Sequence, residues 1–334
     1  MKEKRGSGEA DAQDERSTHS LATTEPSSPC AVSPPSLTPS STPTQHHLTL
    51  ERGGGGERQA FNKMPKWMQV RDMLLRAAQD GDRYCEQYGD IIANQVAVER
   101  FISSSKGNVE RAFKDLKAHL KWRHEYRVDG IVDEDFSDLK ARNEVYWGGV
   151  DKRGVPTLTW ILRKHDANNQ RPERFVRFFI HQIETGMRAS PNYPNTTFNI
   201  MVDLDEVGLH NNDTEMVAHL QPLLVNNYPK VRKALLVFPI NWLVSLLWDT
   251  LLKPILMTLQ PDIEDKIIPL RGDYKAALLD RFAPEELEEA FGGTLPLSVT
   301  RPPQPLPYKR VPCSVIVQDR LRRSGSGSGS GSGS

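Results

Sequence analysis

The sequence predicts an α/β protein in which an all-helical N-terminal lobe precedes a mostly parallel β-sheet flanked by helices. Two observations support this fold class. Between residues 66 and 126, apolar residues recur at helical spacing. From Val145 onward, short runs of β-branched and other apolar residues alternate with longer helical stretches. Strand–helix alternation of this kind gives parallel strands joined by right-handed crossovers.

The helical lobe contains two amphipathic segments separated by the turn-rich sequence SSSKGN. In the first segment the apolar positions at helical spacing are Trp67, Val70, Leu74, Leu75 and Ala78. In the second they are Val109, Ala112, Phe113, Leu116 and Leu120. Asn108 directly precedes the second segment and is its expected N-cap, because an Asn side chain can accept a hydrogen bond from an unpaired backbone N–H.

The α/β lobe begins with a turn at Asp151–Gly154, which we expect to join two antiparallel strands at the edge of the sheet. The predicted strands that follow are Thr157–Arg163, Thr197–Leu204, Lys233–Phe238 and Lys266–Leu270. The helices predicted between them are Pro172–Arg188, Asp213–Asn227 and Asn241–Leu259.

Composition separates this folded part from its tails. The chain has 334 residues, with 43 Lys+Arg and 43 Asp+Glu, and this balance argues against a nucleic-acid partner. Only 37% of the residues are hydrophobic and 24 are proline, so part of the chain should be disordered. The predicted parts are a disordered Ser/Thr/Pro-rich tail (1–63), the helical lobe (64–127), the α/β lobe (128–296), a Pro-rich extension (297–323) and a Ser-Gly linker (324–334).

The sequence contains no recognisable catalytic or metal-binding motif. No glycine-rich phosphate loop follows a strand, no GxSxG elbow is present, and no two histidines have the i, i+4 spacing of metal ligands on a helix. The three cysteines are far apart and form no CxxC pair. Asp203 and Asp205, at the end of a predicted strand, are interpreted as turn or capping residues. We therefore expect no catalytic residues, no metal and no enzymatic activity.

The sequence favours a cytoplasmic protein. Its first 20 residues carry charges of both signs and have no apolar core, unlike a secretory signal or a transit peptide. The longest apolar stretch, Leu243–Leu259, contains two charged residues and a proline. It is also shorter than the roughly 20 residues that span a bilayer. Any membrane association should therefore be peripheral.

The predicted helix Asn241–Leu259 has an unusually wide apolar surface. Ser245, Asp249 and Lys253 form one polar stripe at i, i+4 and i+8. Apolar side chains occupy nearly all of the remaining circumference, and they include Trp242, Leu246, Leu247, Trp248 and Leu251. Such a helix is either buried between two layers or faces an interior cavity on one side and a membrane on the other.

Five segments carry a resemblance to a known family. In order, they are VAVERFISSSKGNVERAFKDLKAHLKWRHEY, YWGGVDKRGVPTLTW, FNIMVDLDEVGL, NNYPKVRKALLVFPINW and RGDYKAALLDRFAPEELEEAFGGTL. Together they span about Ala93 to Leu295 and resemble CRAL-TRIO domains of the yeast phosphatidylinositol-transfer type. The resemblance implies a non-catalytic lipid binder and carrier. In such a protein a hydrophobic pocket is closed by a gate helix, here Asn241–Leu259 with Trp242, Leu246, Leu247, Trp248 and Leu251.

The resemblance also implies which residues line the pocket. Strand alternation places Phe198, Ile200 and Val202 on one face. The remaining candidates are Leu220, Leu223, Leu224 and Tyr228, on and after the next helix. Alternation alone does not distinguish a pocket lining from an ordinary core, so both readings stay open.

The head-group contacts depart from the family pattern. Members that bind inositol lipids carry an Arg-Lys pair in the turn after the first motif, where this chain has Ser105 and Lys106. Lys106 is therefore a possible head-group contact, and less charged ligands, including sterols, neutral lipids and haem, become credible. The expected partners are a lipid ligand and a transient membrane surface, for a monomer with no cofactor beyond the bound lipid. The alternative functions are a membrane-recruited scaffold and a haem binder.

Overall fold

The computed structural model describes residues 55–211, 213–240, 267–296 and 303–318. Helices form the N-terminal lobe, as predicted. They are α1 (Gly55–Lys63), α2 (Lys66–Gln79), α3 (Arg83–Gln87), α4 (Gly89–Ala93), α5 (Gln95–Ser104) and α6 (Val109–Glu125). Helix α1 occupies the end of the span expected to be disordered. Its sequence after the glycine run favours helix, since Arg58, Gln59 and Ala60 are good helix formers and Phe61 is half-buried.

Helix packing in this lobe follows the predicted apolar stripes. The buried side chains of α2 and α6 include Val70, Leu74, Ala78, Ala112, Phe113, Leu116 and Leu120. The Asn108 side chain accepts a hydrogen bond from the Arg111 amide at 2.9 Å, which caps α6 as expected.

In the described ranges the sheet has five strands: β1 (Val145–Val150), β2 (Pro156–Ile161), β3 (Phe198–Asp203), β4 (Arg232–Ile240) and β5 (Ile267–Arg271). Their spatial order follows the sequence, from β1 to β5. The β1–β2 pair is antiparallel and all other pairs are parallel, which confirms the mostly parallel sheet. The Asp151 carboxylate accepts hydrogen bonds from the Arg153 and Val155 amides, both at 2.9 Å, and so fixes the β1–β2 turn.

Two apolar clusters cover the two faces of this sheet. The remaining helices are α7 (Ser137–Ala141), α8 (Pro172–Ala189), α9 (Thr214–Asn227) and α10 (Tyr274–Leu279). Helices α8 and α9 pack on the face that carries Ile200, whereas α10 and the residues after it pack on the face that carries Met201. Alternation along β3 therefore divides its side chains between the two clusters.

The segment after the sheet returns to the helical lobe. Residues 303–318 were expected to lie outside the folded body, yet Cys313 is buried in the apolar cluster of the helical lobe. Its thiol lies 3.2 Å from the carbonyl oxygen of Cys85. A Cβ atom at Gly89 would come within 2.6 Å of the Cys313 amide nitrogen, so this close approach requires glycine. We call residues 303–318 the C-terminal segment.

The predicted gate helix Asn241–Leu259, with Trp242, Leu246, Leu247, Trp248 and Leu251, lies outside the described residues. Among the helices that the structure describes, none is both long and apolar enough to cross a membrane.

Candidate functional site

A cavity of about 220 Å³ lies between the sheet and helices α8 and α9. Its lining is mainly apolar. The sheet contributes Trp160, Phe198, Ile200, Val202 and Leu235, and the helices contribute Phe179, Ile183, Val217, Leu220 and Leu224. A cavity of this character takes up hydrophobic molecules, because apolar surface is removed from water on both partners.

Six of the seven residues predicted from the sequence lie together on this cavity. They are Phe198, Ile200, Val202, Leu220, Leu224 and Tyr228. Leu223 is placed differently, since it packs against the core cluster beside the cavity and does not line it. Neighbouring helical residues point about 100° apart. The cavity stripe of α9 includes Leu220 and Leu224, so Leu223 is turned away from it.

The predicted head-group contact lies elsewhere. Lys106 is exposed in the turn between α5 and α6, with a left-handed backbone (φ 52°), and it is not part of the cavity lining. The cations that do line the cavity are Lys230 and Arg232, at the start of β4. Sequence reasoning missed both. Their signal was the cluster of three basic residues in YPKVRK, directly before a run of apolar residues.

One end of the cavity adjoins a buried ionic cluster. The Tyr228 hydroxyl donates to Glu184 at 2.8 Å, and Glu184 accepts two hydrogen bonds from Arg123, at 2.9 and 3.2 Å. Arg188 lies 3.5 Å from the same carboxylate. Burial acts to raise the pKa of Glu184, but Arg123 and Arg188 outweigh it and hold that pKa below its usual value.

The ionic cluster extends into the helical lobe and the C-terminal segment. Arg123 also donates to Asp129 at 3.1 Å, and Arg310 donates to Asp129 at 2.7 Å and to Asp90 at 2.6 Å. Burial alone would raise the pKa of Asp129, yet its bonds to Arg310 and Arg123 lower it to about 2. The cluster thus connects the helical lobe, the α/β lobe and the C-terminal segment beside the wall of the cavity.

A second buried group holds the other end of α9. The His165 ring contacts Glu144 at 2.8 Å and Asp213 at 3.1 Å through its two nitrogens. Asp213 also caps α9, accepting from the Met216 amide at 2.7 Å. Burial acts to lower the pKa of His165, but the two carboxylates outweigh it and raise that pKa above the usual value. An imidazolium fits this position, because both ring nitrogens must then donate.

The other candidate chemistry is structural. Asp203 accepts from the Asp205 amide at 2.9 Å and from Arg163 at 2.6 Å, so it holds a turn, as the sequence interpretation expected. Within the described ranges, no group of three or more His, Cys, Asp or Glu side chains could hold a metal ion.

Fold and cavity together define a class: an α/β domain that follows a helical lobe and holds an apolar cavity between its sheet and two helices. Residues 141–293 match the model of the CRAL/TRIO domain. This match confirms the resemblance to CRAL-TRIO domains found in the five sequence segments.

Curated relatives agree with this assignment. The phosphatidylinositol/phosphatidylcholine transfer proteins SFH4 and SFH7 of Arabidopsis thaliana are 25% and 27% identical to the chain over 214 and 213 residues. Both alignments cover 58% of the chain, but only 34% of SFH4 and 38% of SFH7. The chain thus spans little more than a third of these relatives. Patellin-6 of the same plant is 20% identical over 210 residues, covering 59% of the chain and 50% of Patellin-6.

A solved structure shares the fold. The crystal structure of Sfh5 superposes with a TM-score of 0.58, covering 78% of this chain and 99% of that chain. The two sequences are 15% identical, so this likeness concerns the fold alone.

Proposed function

We propose that this protein binds one lipid molecule in the cavity between its sheet and α8/α9 and transfers it between membranes. The observation that carries the proposal is the apolar cavity itself, at the centre of a CRAL/TRIO domain. The names of SFH4 and SFH7, which describe lipid transfer, support the same activity. The alternatives of a scaffold and a haem binder gain no support from the cavity or the relatives.

The free energy of exposing lipid chains to water requires that the ligand stay out of water while it is exchanged. Each buried methylene contributes about 0.8 kcal/mol, so a two-chain lipid with about 30 methylenes would need on the order of 20 kcal/mol to enter water. Exchange must therefore occur at a membrane surface. We also propose that Asn241–Leu259 acts as the gate, so that Leu247→Asp should slow vesicle-to-vesicle exchange; undiminished exchange would contradict this role.

The role proposed here needs no catalytic group, and we propose that the protein is not an enzyme. We further propose a cytoplasmic monomer that meets membranes transiently and does not bind nucleic acid. Gel filtration with light scattering tests whether the protein is a monomer, and flotation with and without vesicles tests its membrane association.

The first test is mass spectrometry of the organic extract from gently purified protein, with a visible spectrum recorded alongside. One lipid per protein molecule is the expected result. A Soret band would identify haem as the ligand and refute the lipid proposal. Reproducibly empty protein that still binds vesicles would favour the scaffold.

A second test fills the cavity. Leu224→Trp, on the cavity side of α9, should abolish lipid loading and vesicle-to-vesicle transfer, because the larger ring occupies the ligand volume. Ala218→Trp is the matched control, since Ala218 is exposed on the same helix and does not line the cavity. Equal transfer by both variants and the unsubstituted protein would contradict the cavity as the binding site.

A further inference from the structure

A bulge in β4 turns an arginine toward the cavity. In the β3–β4 pairing, Phe198 lies opposite Arg232 and Ile200 lies opposite Leu235. Strand β3 advances by two residues over this interval and β4 by three, so β4 carries one extra residue. Both Arg232 and Leu235 therefore line the cavity, although strict alternation would place them on opposite faces.

The Arg232 guanidinium has no partner among the described residues. Its Nε atom is buried and makes no hydrogen bond. Burial lowers the pKa of this group, and no carboxylate opposes that effect. Arginine nevertheless remains charged at neutral pH. Arg232 is half-buried, and an unpaired cation that is withdrawn from water is unfavourable unless an anion joins it.

Other groups on the cavity wall are also unpaired donors. The indole N–H of Trp160 and the side-chain amide of Gln221 are buried without a hydrogen-bond partner in the described part of the chain. By register, Trp160 is level with Val202 and Arg232 with Phe198. The Cα atoms of Trp160 and Arg232 are thus offset by four residues, or about 13 Å, in the direction of the strands. Donors at both ends of an apolar cavity match a ligand that carries acceptor oxygens.

We propose that Arg232 binds an anionic oxygen group, a carboxylate or a phosphate, on the molecule held in the cavity. The inference rests on the proposed lipid binding and specifies the ligand class. It places the charged contact at the start of β4, away from the exposed Lys106. A guanidinium suits this task because its N–H groups match the oxygens of carboxylate and phosphate in pairs.

The experiment measures loading of matched lipids. Lipid-stripped protein is equilibrated with phosphatidylcholine vesicles that carry one of two matched pairs. The first pair is oleate, which is anionic, and oleyl alcohol, which is neutral. The second pair is phosphatidate, which is anionic, and diacylglycerol with identical chains, which is neutral. The bound lipid is then quantified by mass spectrometry of the re-isolated protein. We expect the unsubstituted protein to prefer the anionic member of each pair. In Arg232→Met the ratio of anionic to neutral lipid bound should fall by about ten- to a hundredfold, while binding of the neutral lipids should be unchanged.

Lys233→Met is the matched control. It removes the same charge from the neighbouring residue, which is exposed and does not line the cavity. This variant should keep the anionic preference. Melting temperatures provide a second readout: oleate should raise that of the unsubstituted protein and of Lys233→Met, but not that of Arg232→Met.

The other outcomes are distinct. An anionic preference that survives in Arg232→Met overturns the assignment while leaving lipid binding intact. Failure of the unsubstituted protein to load any lipid, the phosphatidylcholine of the vesicles included, refutes the proposed function itself. A third outcome is that inorganic phosphate raises the melting temperature of the unsubstituted protein but not that of Arg232→Met, while the protein shows no preference among the lipids. This result would identify a free anion as the partner of Arg232 and overturn the assignment to the lipid.

Discussion

Replacing Glu184 by Gln should strongly destabilise the protein. The substitution preserves the side-chain volume and shape, so no cavity is created. It removes the negative charge that Arg123 contacts at 2.9 and 3.2 Å, in a place where Glu184 is 1% exposed and Arg123 is 4% exposed. Within the described part of the chain, Arg123 then keeps Asp129 as its one anionic partner, and Arg188 loses its nearest carboxylate.

The magnitude follows from burial. Removing one partner of a buried ion pair costs about 3–5 kcal/mol, because the remaining charge stays out of water without compensation. Asp129 partly compensates Arg123, so we expect about 3 kcal/mol. Small domains are stable by about 5–15 kcal/mol, so this is a large fraction of the total. The matched control is Arg174→Gln, which removes the exposed ion pair between Arg174 and Asp138. This substitution should lower the free energy of unfolding by less than about 1 kcal/mol.

Urea unfolding, followed by far-UV circular dichroism at pH 7, measures both variants. The pH dependence gives a second readout. The pKa of Glu184 is lower in the folded protein, so its contribution is present above the unfolded-state pKa, about 4.3, and is lost as the pH falls through the folded-state pKa. Glu184→Gln should lose that part of the acid sensitivity. A loss below 1 kcal/mol with an unchanged acid profile would refute the reasoning.

The remaining predictions concern three separate positions. The pKa of His165 is raised, so the stability that its charge supplies should be complete below about pH 6.5 and should fade as the pH rises through the folded-state pKa. The difference in unfolding free energy between the unsubstituted protein and His165→Gln should therefore shrink above that pKa, and a difference that does not change with pH contradicts this. Gly186→Ala should destabilise by about 1–3 kcal/mol in a thermal melt, since its Cβ would lie 2.0 Å from the Trp147 ring. Asn108→Ala should cost about 1 kcal/mol in urea unfolding by removing the α6 cap, whereas Asn108→Asp should cost less; equal losses would argue against capping.

Much of this architecture could be predicted from periodicity. The apolar stripes of α2 and α6 and the alternation through Phe198, Ile200 and Val202 are local patterns, and local patterns determine which face of an element is buried. The sheet order then follows from short connections and right-handed crossovers.

What the sequence could not reveal depends on non-local geometry. Arg123 and Glu184 are 61 residues apart, and nothing in the spacing of either indicates that they meet. The bulge that turns Arg232 toward the cavity breaks the alternation on which strand prediction relies. Leu223 and Leu224 have the same side chain, and only the rotation of α9 on the sheet decides which of them reaches the cavity.

The ionic cluster beside the cavity also bears on how such a protein can evolve. Residues 141–293, the part that the family model recognises, include Glu184 and Arg188 but neither Arg123 nor Arg310. The range that the family model matches is therefore shorter than the part of the chain that forms this buried network. Recombination at the edges of the recognised domain would separate the members of one buried network. The helical lobe and the C-terminal segment should be inherited together with the domain whenever it moves between genes.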